Sequence, residues 1–249
     1  MINSIKVLSI DWDYFADCPI GFKVNNFPDG GNENLPEFVL DQIWVTKYGQ
    51  CSELKDVKMD TSEMIRLRMT LKSIVNQHTT VIISDSHKDI YRYLEKFRQT
   101  NIPMELYNID FHHDVYDFQN DNVDCGNWLR LFINSDGSHD QDTFTWVRRK
   151  DSEMSGNKTI DDNSIIGIPK DIMTPFQLVF LCRSSAWSPP HLDKEFLSLC
   201  RFLNKLNNKI VVDQKVMRNR YNRQFKYNVE HYVDIVKKIM GDSEIPNQN

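Results

Sequence analysis

Residues 104–114, MELYNIDFHHD, decide how this chain is read. The run MELYNI is short and apolar. It ends abruptly in Asp110, His112, His113 and Asp114, four ionisable side chains within five residues. A short apolar run of this kind suits a strand buried on both faces of a parallel sheet. The C-terminal edge of such a sheet is where open α/β folds place their ligands. In extended backbone Asp110, His112 and Asp114 project to one side, so two carboxylates and an imidazole converge. That packing is costly unless a cation or water satisfies it, which favours a metal site over a solvated acidic loop.

Working outward, residues 5–10, 80–84 and 177–182 are apolar runs of the same type. Amphipathic stripes lie between and after them. Met64, Leu67, Leu71, Ile74 and Val75 form one, with Asp60 and Glu63 placed as its cap. Ile90, Leu94 and Phe97 form a second, and Leu192, Phe196, Cys200 and Leu203 a third. Val229, Tyr232, Val233 and Val236 form a fourth, which Gly241 would stop. The alternation predicts an α/β fold, a three-layer α/β/α sandwich on a mainly parallel sheet. Residues 17–60 and 134–174 are long and polar and read as surface insertions bordering a cleft, with a short strand near 143–149. No internal repeat divides the chain, so residues 1–249 read as one domain with a polar tail from about 242.

Composition narrows the class. A net charge of −5 over 249 residues lacks the basic footprint of a general nucleic-acid binder. No apolar run approaches the roughly 20 residues of a membrane span. Five cysteines, an odd count without a CxxC pair, suit reduced thiols and a cytoplasmic setting. The N-terminus lacks the apolar segment of a signal peptide.

Two further strand ends repeat the opening pattern. Asp11 and Asp13 follow residues 5–10 at a spacing of two, and Ser84-Asp85-Ser86-His87 closes the 80–84 run. If these strands are near neighbours, Asp11, Asp13, His87, Asp110, His112 and Asp114 form one cluster. Four carboxylates together repel strongly without cations. A mostly oxygen set with two imidazoles and no thiolate favours two Mn²⁺ ions, with Fe²⁺ or Zn²⁺ as alternatives. Asp124, Asn127 and Trp128 face a substrate, or Asp124 merely caps a helix. Cys125 reads as a packed small residue. Arg183 and Ser184 bind a polar ligand or open a turn before Pro189 and Pro190. Lys215, Arg218, Arg220, Arg223 and Lys226 read as a solvated face, or as a surface that steers an acidic peptide.

These motifs resemble the arginase–deacetylase (ureohydrolase) superfamily. IDFHHD is similar to its DAHxD element, matching Asp110, His112 and Asp114. SIDWDYFADCP is similar to SFDxDxxDP, matching Asp11, Asp13, Asp17 and Pro19. SDSH resembles GGDHS with an extra Ser between Asp85 and His87, and CGNW resembles SGN. The SFDxDxxDP-like element comes first rather than last, as in a circular permutation. That order, with CGNW and RSSAWSPP, resembles the UPF0489 family, which includes peptide arginases. The resemblance covers about half the chain by segments.

It implies a two-Mn²⁺ hydrolase that converts arginine to ornithine, with release of urea, in an arginine-containing, ribosomally made precursor peptide. It implies that Asp11 and Asp110 bridge the ions, that His87 and Asp114 complete one, and that Asp13 and His112 complete the other. Asp114 would orient the attacking water. His113 is the first candidate proton donor, with His139 and His191 as alternatives. Glu33, Glu37, Asp85 and Asp124 are candidates to hold the guanidinium. Another amidinohydrolase, a deacetylase, a phosphoesterase or a metal-stabilised peptide-binding module are the competing readings. Oligomeric state is open.

Overall fold

The structure, a computed structural model, describes residues 4–28, 34–117, 122–135, 140–169, 174–207 and 209–240. Seven parallel strands form the central sheet. They are β1 (Ile5–Asp11), β4 (Thr80–Ser84), β5 (Met104–Ile109), β6 (Thr143–Arg148), β7 (Ser164–Ile166), β8 (Leu178–Cys182) and β9 (Ile210–Val212). Their order is β7-β6-β5-β1-β8-β4-β9. A separate antiparallel pair, β2 (Ala16–Asp17) and β3 (Lys58–Met59), lies beside them. The chain therefore leaves β1 for β4, crosses back to β5 on the other flank, and later inserts β8 between β1 and β4. Reversals of this kind open crevices at the C-terminal strand ends.

The continuous apolar runs are explained by double-sided burial. Leu8 and Ile10 of β1 join a cluster with Leu67 and Leu71 of α3 (Thr61–Ile74) and Phe196 and Leu199 of α7 (Asp193–Leu206). Ile5 and Val7 point the other way, toward Leu94 of α4 (Tyr91–Arg98) and Trp128, Leu129 and Phe132 of α5 (Trp128–Asn134). Helices thus cover both faces, and the fold is the expected three-layer α/β/α sandwich.

The α3 cap forms only by half. Asp60 accepts from the Glu63 backbone N–H at 3.0 Å. Glu63 does not reach back. Its buried carboxylate accepts from the Tyr14 hydroxyl at 3.0 Å and the Ile168 N–H at 2.9 Å, tying the segment after β7 to α3.

The two polar stretches are not surface insertions. Residues 17–60 contain α1 (Ile20–Asn26) and α2 (Glu37–Gln50). With α8 (Arg223–Met240) they build a third apolar cluster around Trp44, Tyr48, Phe225 and Val229. Apolar residues spaced among polar ones in α2 mask its periodicity. Residues 134–174 supply β6, the short helix α6 (Lys158–Asp162) and edge strand β7, and Trp146 of β6 is fully buried. Edge strands β7 and β9 escaped notice because they are three residues long and leave Ile166 and Val211 exposed. Gly241 and the polar tail lie outside the described residues.

The basic run near the C-terminus is not a uniform solvated face. Arg220 is buried and pairs with Asp193 at 2.7 Å, while Arg218 pairs with Glu37 and Asp41.

Candidate metal centre

All seven strands point the same way, so every strand end of interest lies on one edge. Asp11 ends β1, and Asp110 follows the adjacent β5. His87 follows β4, which is separated from β1 only by β8. The six residues Asp11, Asp13, His87, Asp110, His112 and Asp114 meet there. Ligand atoms of Asp11, His87 and Asp110 lie within 4.8 Å of one another, as do those of Asp13, Asp110 and His112. Asp110 belongs to both groups, whereas Asp11, expected to bridge as well, belongs to the first alone. Its Oδ2 is 3.0 Å from His87 Nδ1, and its Oδ1 is 3.9 Å from His112 Nδ1.

The donor set fits cations better than internal pairing. His87 Nδ1 lies 3.0 Å from Asp114 Oδ2 and 3.3 Å from Asp11 Oδ2, within ion-pair reach. None of these approaches has hydrogen-bond geometry, and His87 Nδ1 and both carboxylate oxygens of Asp13 stay buried without a hydrogen-bond partner. Buried polar atoms left in this state cost about 1–3 kcal/mol each, more if charged. A shared cation removes that cost.

Neighbours aim the ligands. Ser9 Oγ sits 2.6 Å from His87 Nε2, leaving Nδ1 to face the cluster. Ser184 Oγ donates to Asp11 Oδ2 at 2.5 Å, and Trp128 Nε1 donates to Asp114 Oδ2 at 2.5 Å. The His112 N–H donates to Asp110 Oδ1 at 2.8 Å. Asp114 and Ser184 both have left-handed backbone, φ 54° and 48°. Such conformations cost of order 1 kcal/mol or more and cluster at functional sites.

Electrostatics agree with a crowded anionic pocket. Burial, reinforced by Asp13 and Asp110, raises the Asp11 carboxyl to about 7. Burial and the Asp114 charge raise Asp110 to about 8. Burial would depress His112, but Asp13 overrides it and lifts the imidazole to about 9. His87 is also raised well above its ordinary value: burial opposes this, and Asp114, Asp11 and Asp110 outweigh it. Asp13 moves the opposite way, because His112 outweighs the effect of burial.

Several expected substrate contacts are instead structural. Arg183 is fully buried, with its guanidinium on Asp85 at 2.9 Å and on the carbonyls of Val216 and Arg218. That also commits Asp85, so the extra Ser86 turns Asp85 away while His87 enters the cluster. Ser184 serves Asp11 and is 1% exposed. Asn127 is fully buried and closes the turn before α5, donating to the Asn122 carbonyl and accepting from the Asp124 N–H. Trp128, also fully buried, restrains Asp114. Asp124 is partly exposed and accepts from Asn34 at 2.9 Å. Asp17 stands apart from the cluster, paired with Arg149.

The proton-donor candidates fare differently. His113 is 5% exposed, packs on Tyr116 at 4.1 Å, and accepts from the Val115 N–H. Burial, with His112 adding to it, lowers its imidazole to about 4, so it stays neutral near pH 7 and is a poor acid there. His191 is held by Tyr48 and the Val57 carbonyl in the third cluster. Glu37 is committed to Arg218. His139 and Glu33 lie outside the described residues.

Two residues were missed. Ser9, two positions before Asp11 on the same face of β1, was legible from the strand period. Lys23 of α1 is 2% exposed, lies 3.4 Å from the Phe111 ring centroid and donates to the Asp13 carbonyl. The polar sequence around it carries no helical stripe, which hides it.

Comparison with protein families, curated proteins and solved structures returns no match to this chain. Among the described residues, no helix is long and apolar enough to cross a membrane.

Proposed function

We propose that the chain is a binuclear-metal hydrolase acting on the guanidino C–N bond of arginine in a peptide, yielding ornithine and urea. The observation that carries this reading is Asp110, whose two oxygens face two separate Asp/His groups at the C-terminal sheet edge. The motif order that resembles peptide arginases narrows the substrate to peptidyl arginine. Manganese is favoured by the oxygen-rich set with two imidazoles. A cytoplasmic setting is proposed from the odd cysteine count without CxxC.

Asp11, His87, Asp110 and Asp114 would hold one cation, and Asp13, His112 and Asp110 the other. When bound, such a pair supplies Lewis acidity that furnishes hydroxide near neutral pH. Ser9, Ser184 and Trp128 keep the ligands in place without relying on the cations. Asp114, with Oδ2 held by Trp128, is the residue to orient the attacking water. Among the described candidates, Asp124 is the carboxylate for the guanidinium that is not committed to an arginine of this chain.

The test is incubation of the protein and Mn²⁺ with an arginine-containing peptide. Each arginine converted takes up water and releases urea, so the peptide loses the elements CH2N2. Full metal occupancy with no mass change overturns the reading.

A further inference from the structure

Five of the six clustered residues are sealed. Asp11, Asp13, His87, Asp110 and Asp114 are at most 4% exposed. His112 is the exception, with its side chain 20% exposed. Among the six, the His112 edge is thus the side of the cluster open to solvent. That edge lies between two aromatic rings: Phe111, 5.2 Å away and buried, and Trp187, 4.7 Å away and partly exposed.

We infer that Trp187 is the specificity-determining wall of this opening and that it selects a planar cation by stacking. This rests on the hydrolase reading above and names how that site recognises its substrate. The main chain around Trp187 is tied down by hydrogen bonds. Its backbone N–H donates to the Ser184 carbonyl at 2.9 Å, so the residue that restrains Asp11 also anchors the main chain that carries the indole. Arg220 grips the carbonyls of Ser185 and Ser188 at 2.8 Å each, and Trp44 donates to the Ser185 carbonyl at 2.8 Å. The frame fixes the main chain that carries Trp187, and the ring itself packs against His112, so little backbone freedom is lost on binding, which favours affinity. An indole face attracts a cation, and a flat guanidinium can also stack on it, whereas a tetrahedral ammonium cannot. The anionic cluster beside the ring adds the same charge preference.

The test uses the Mn²⁺-loaded full chain with Trp187→Leu and Trp187→Phe. The probe is blocked arginine, acetylated at its amine and amidated at its carboxylate, followed by turnover and by calorimetric binding. Trp187→Leu is expected to raise KM about tenfold, leaving kcat within about twofold and metal stoichiometry unchanged. Trp187→Phe, which keeps an aromatic face, is expected to stay within about threefold of the parent KM. The parent is expected to bind methylguanidinium more tightly than methylammonium. A parent that hydrolyses the probe, beside a Trp187→Leu protein with parental KM, overturns the wall alone. Equal binding of methylguanidinium and methylammonium by the parent also overturns it, even if Trp187→Leu does not fold. A parent that binds the probe without hydrolysing it overturns the hydrolase and keeps the wall. A parent that neither binds nor hydrolyses the probe overturns both.

Discussion

The indole N–H of Trp128 donates to Asp114 Oδ2 at 2.5 Å, and Asp114 holds its carboxylate there from a left-handed backbone, φ 54°. The same oxygen lies 3.0 Å from His87 Nδ1. One helix start thus restrains a residue that ends a strand-edge motif fourteen positions earlier. Replacing Trp128 with Phe keeps most of the buried ring and removes only the donor. Donors that hold a ligand carboxylate in this way are typically worth 10–100-fold in metal affinity or activity. We expect Trp128→Phe to fold and to bind Mn²⁺ about tenfold more weakly, read by metal titration. Parental affinity would show the hydrogen bond to be idle.

Asp110 faces both metal groups, so its loss differs in kind from that of the other ligands. Asp110→Asn is expected to abolish binding of both ions, whereas His112→Asn removes one. Metal content after dialysis counts them directly. One ion retained in Asp110→Asn rejects the bridging role.

The pH response of the cation-free protein has a defined sign. Asp11 and Asp110, ordinarily near 3.8, are raised to about 7 and about 8 by burial and neighbouring carboxylates. His112, ordinarily 6.5, is raised to about 9, burial opposing and Asp13 prevailing. In each case the folded state holds a proton that the unfolded state has released. The contribution of these groups is therefore full below the unfolded value and is lost as pH rises through the folded one. Asp13 is lowered, by His112 against burial, so its contribution is lost on acidification below its ordinary value. Cations displace the protons. The rise in Tm caused by Mn²⁺ is expected to be larger near pH 9 than near pH 6, by calorimetry. An equal rise at both would contradict the proton-for-metal exchange.

Arg220 and Asp193 form a bidentate, fully buried pair beneath residues 185–188. Truncating one member strands the other. Arg220→Ala is expected to cost about 3–5 kcal/mol in urea unfolding. A loss under about 1 kcal/mol would mean that water replaces the guanidinium.

Gly49 marks a close helix contact. A Cβ there would fall 2.3 Å from Tyr232 Cδ1, where α2 meets α8. Gly49→Ala is expected to destabilise by about 1–3 kcal/mol through overpacking. The Gly49→Ala, Tyr232→Leu double variant should recover part of the loss, since it frees the space the methyl needs. Independent, additive losses would place the strain elsewhere.

Much of the framework was legible locally. Strands β1, β4, β5 and β8 were legible as continuous apolar runs because burial on both faces removes polar alternation. The chemistry at their ends was legible as Asp and His spaced by two after each strand, but the chain there is not extended: β5 ends at Ile109, Asp13 lies in a 3-10 turn, and the Asp11 and Asp110 carboxylates accept from the N–H two residues on. Helix α2 was not, because its buried Trp44 and Tyr48 sit among polar residues in sequence and pack on α8, a partner about 180 positions away in the chain.

By itself the sequence determined which residues carry charge at the end of each buried strand, since that is set by neighbours one or two positions apart. Only the tertiary structure decided where those charges point. Strand order brings His87 beside Asp110 and sends Asp85 to Arg183. It also puts Trp128 and Ser184 behind the ligands rather than in front of them. The physical reason is that a parallel sheet shares one edge among segments far apart in the chain, so convergence there depends on which strands are neighbours, and no local pattern records that.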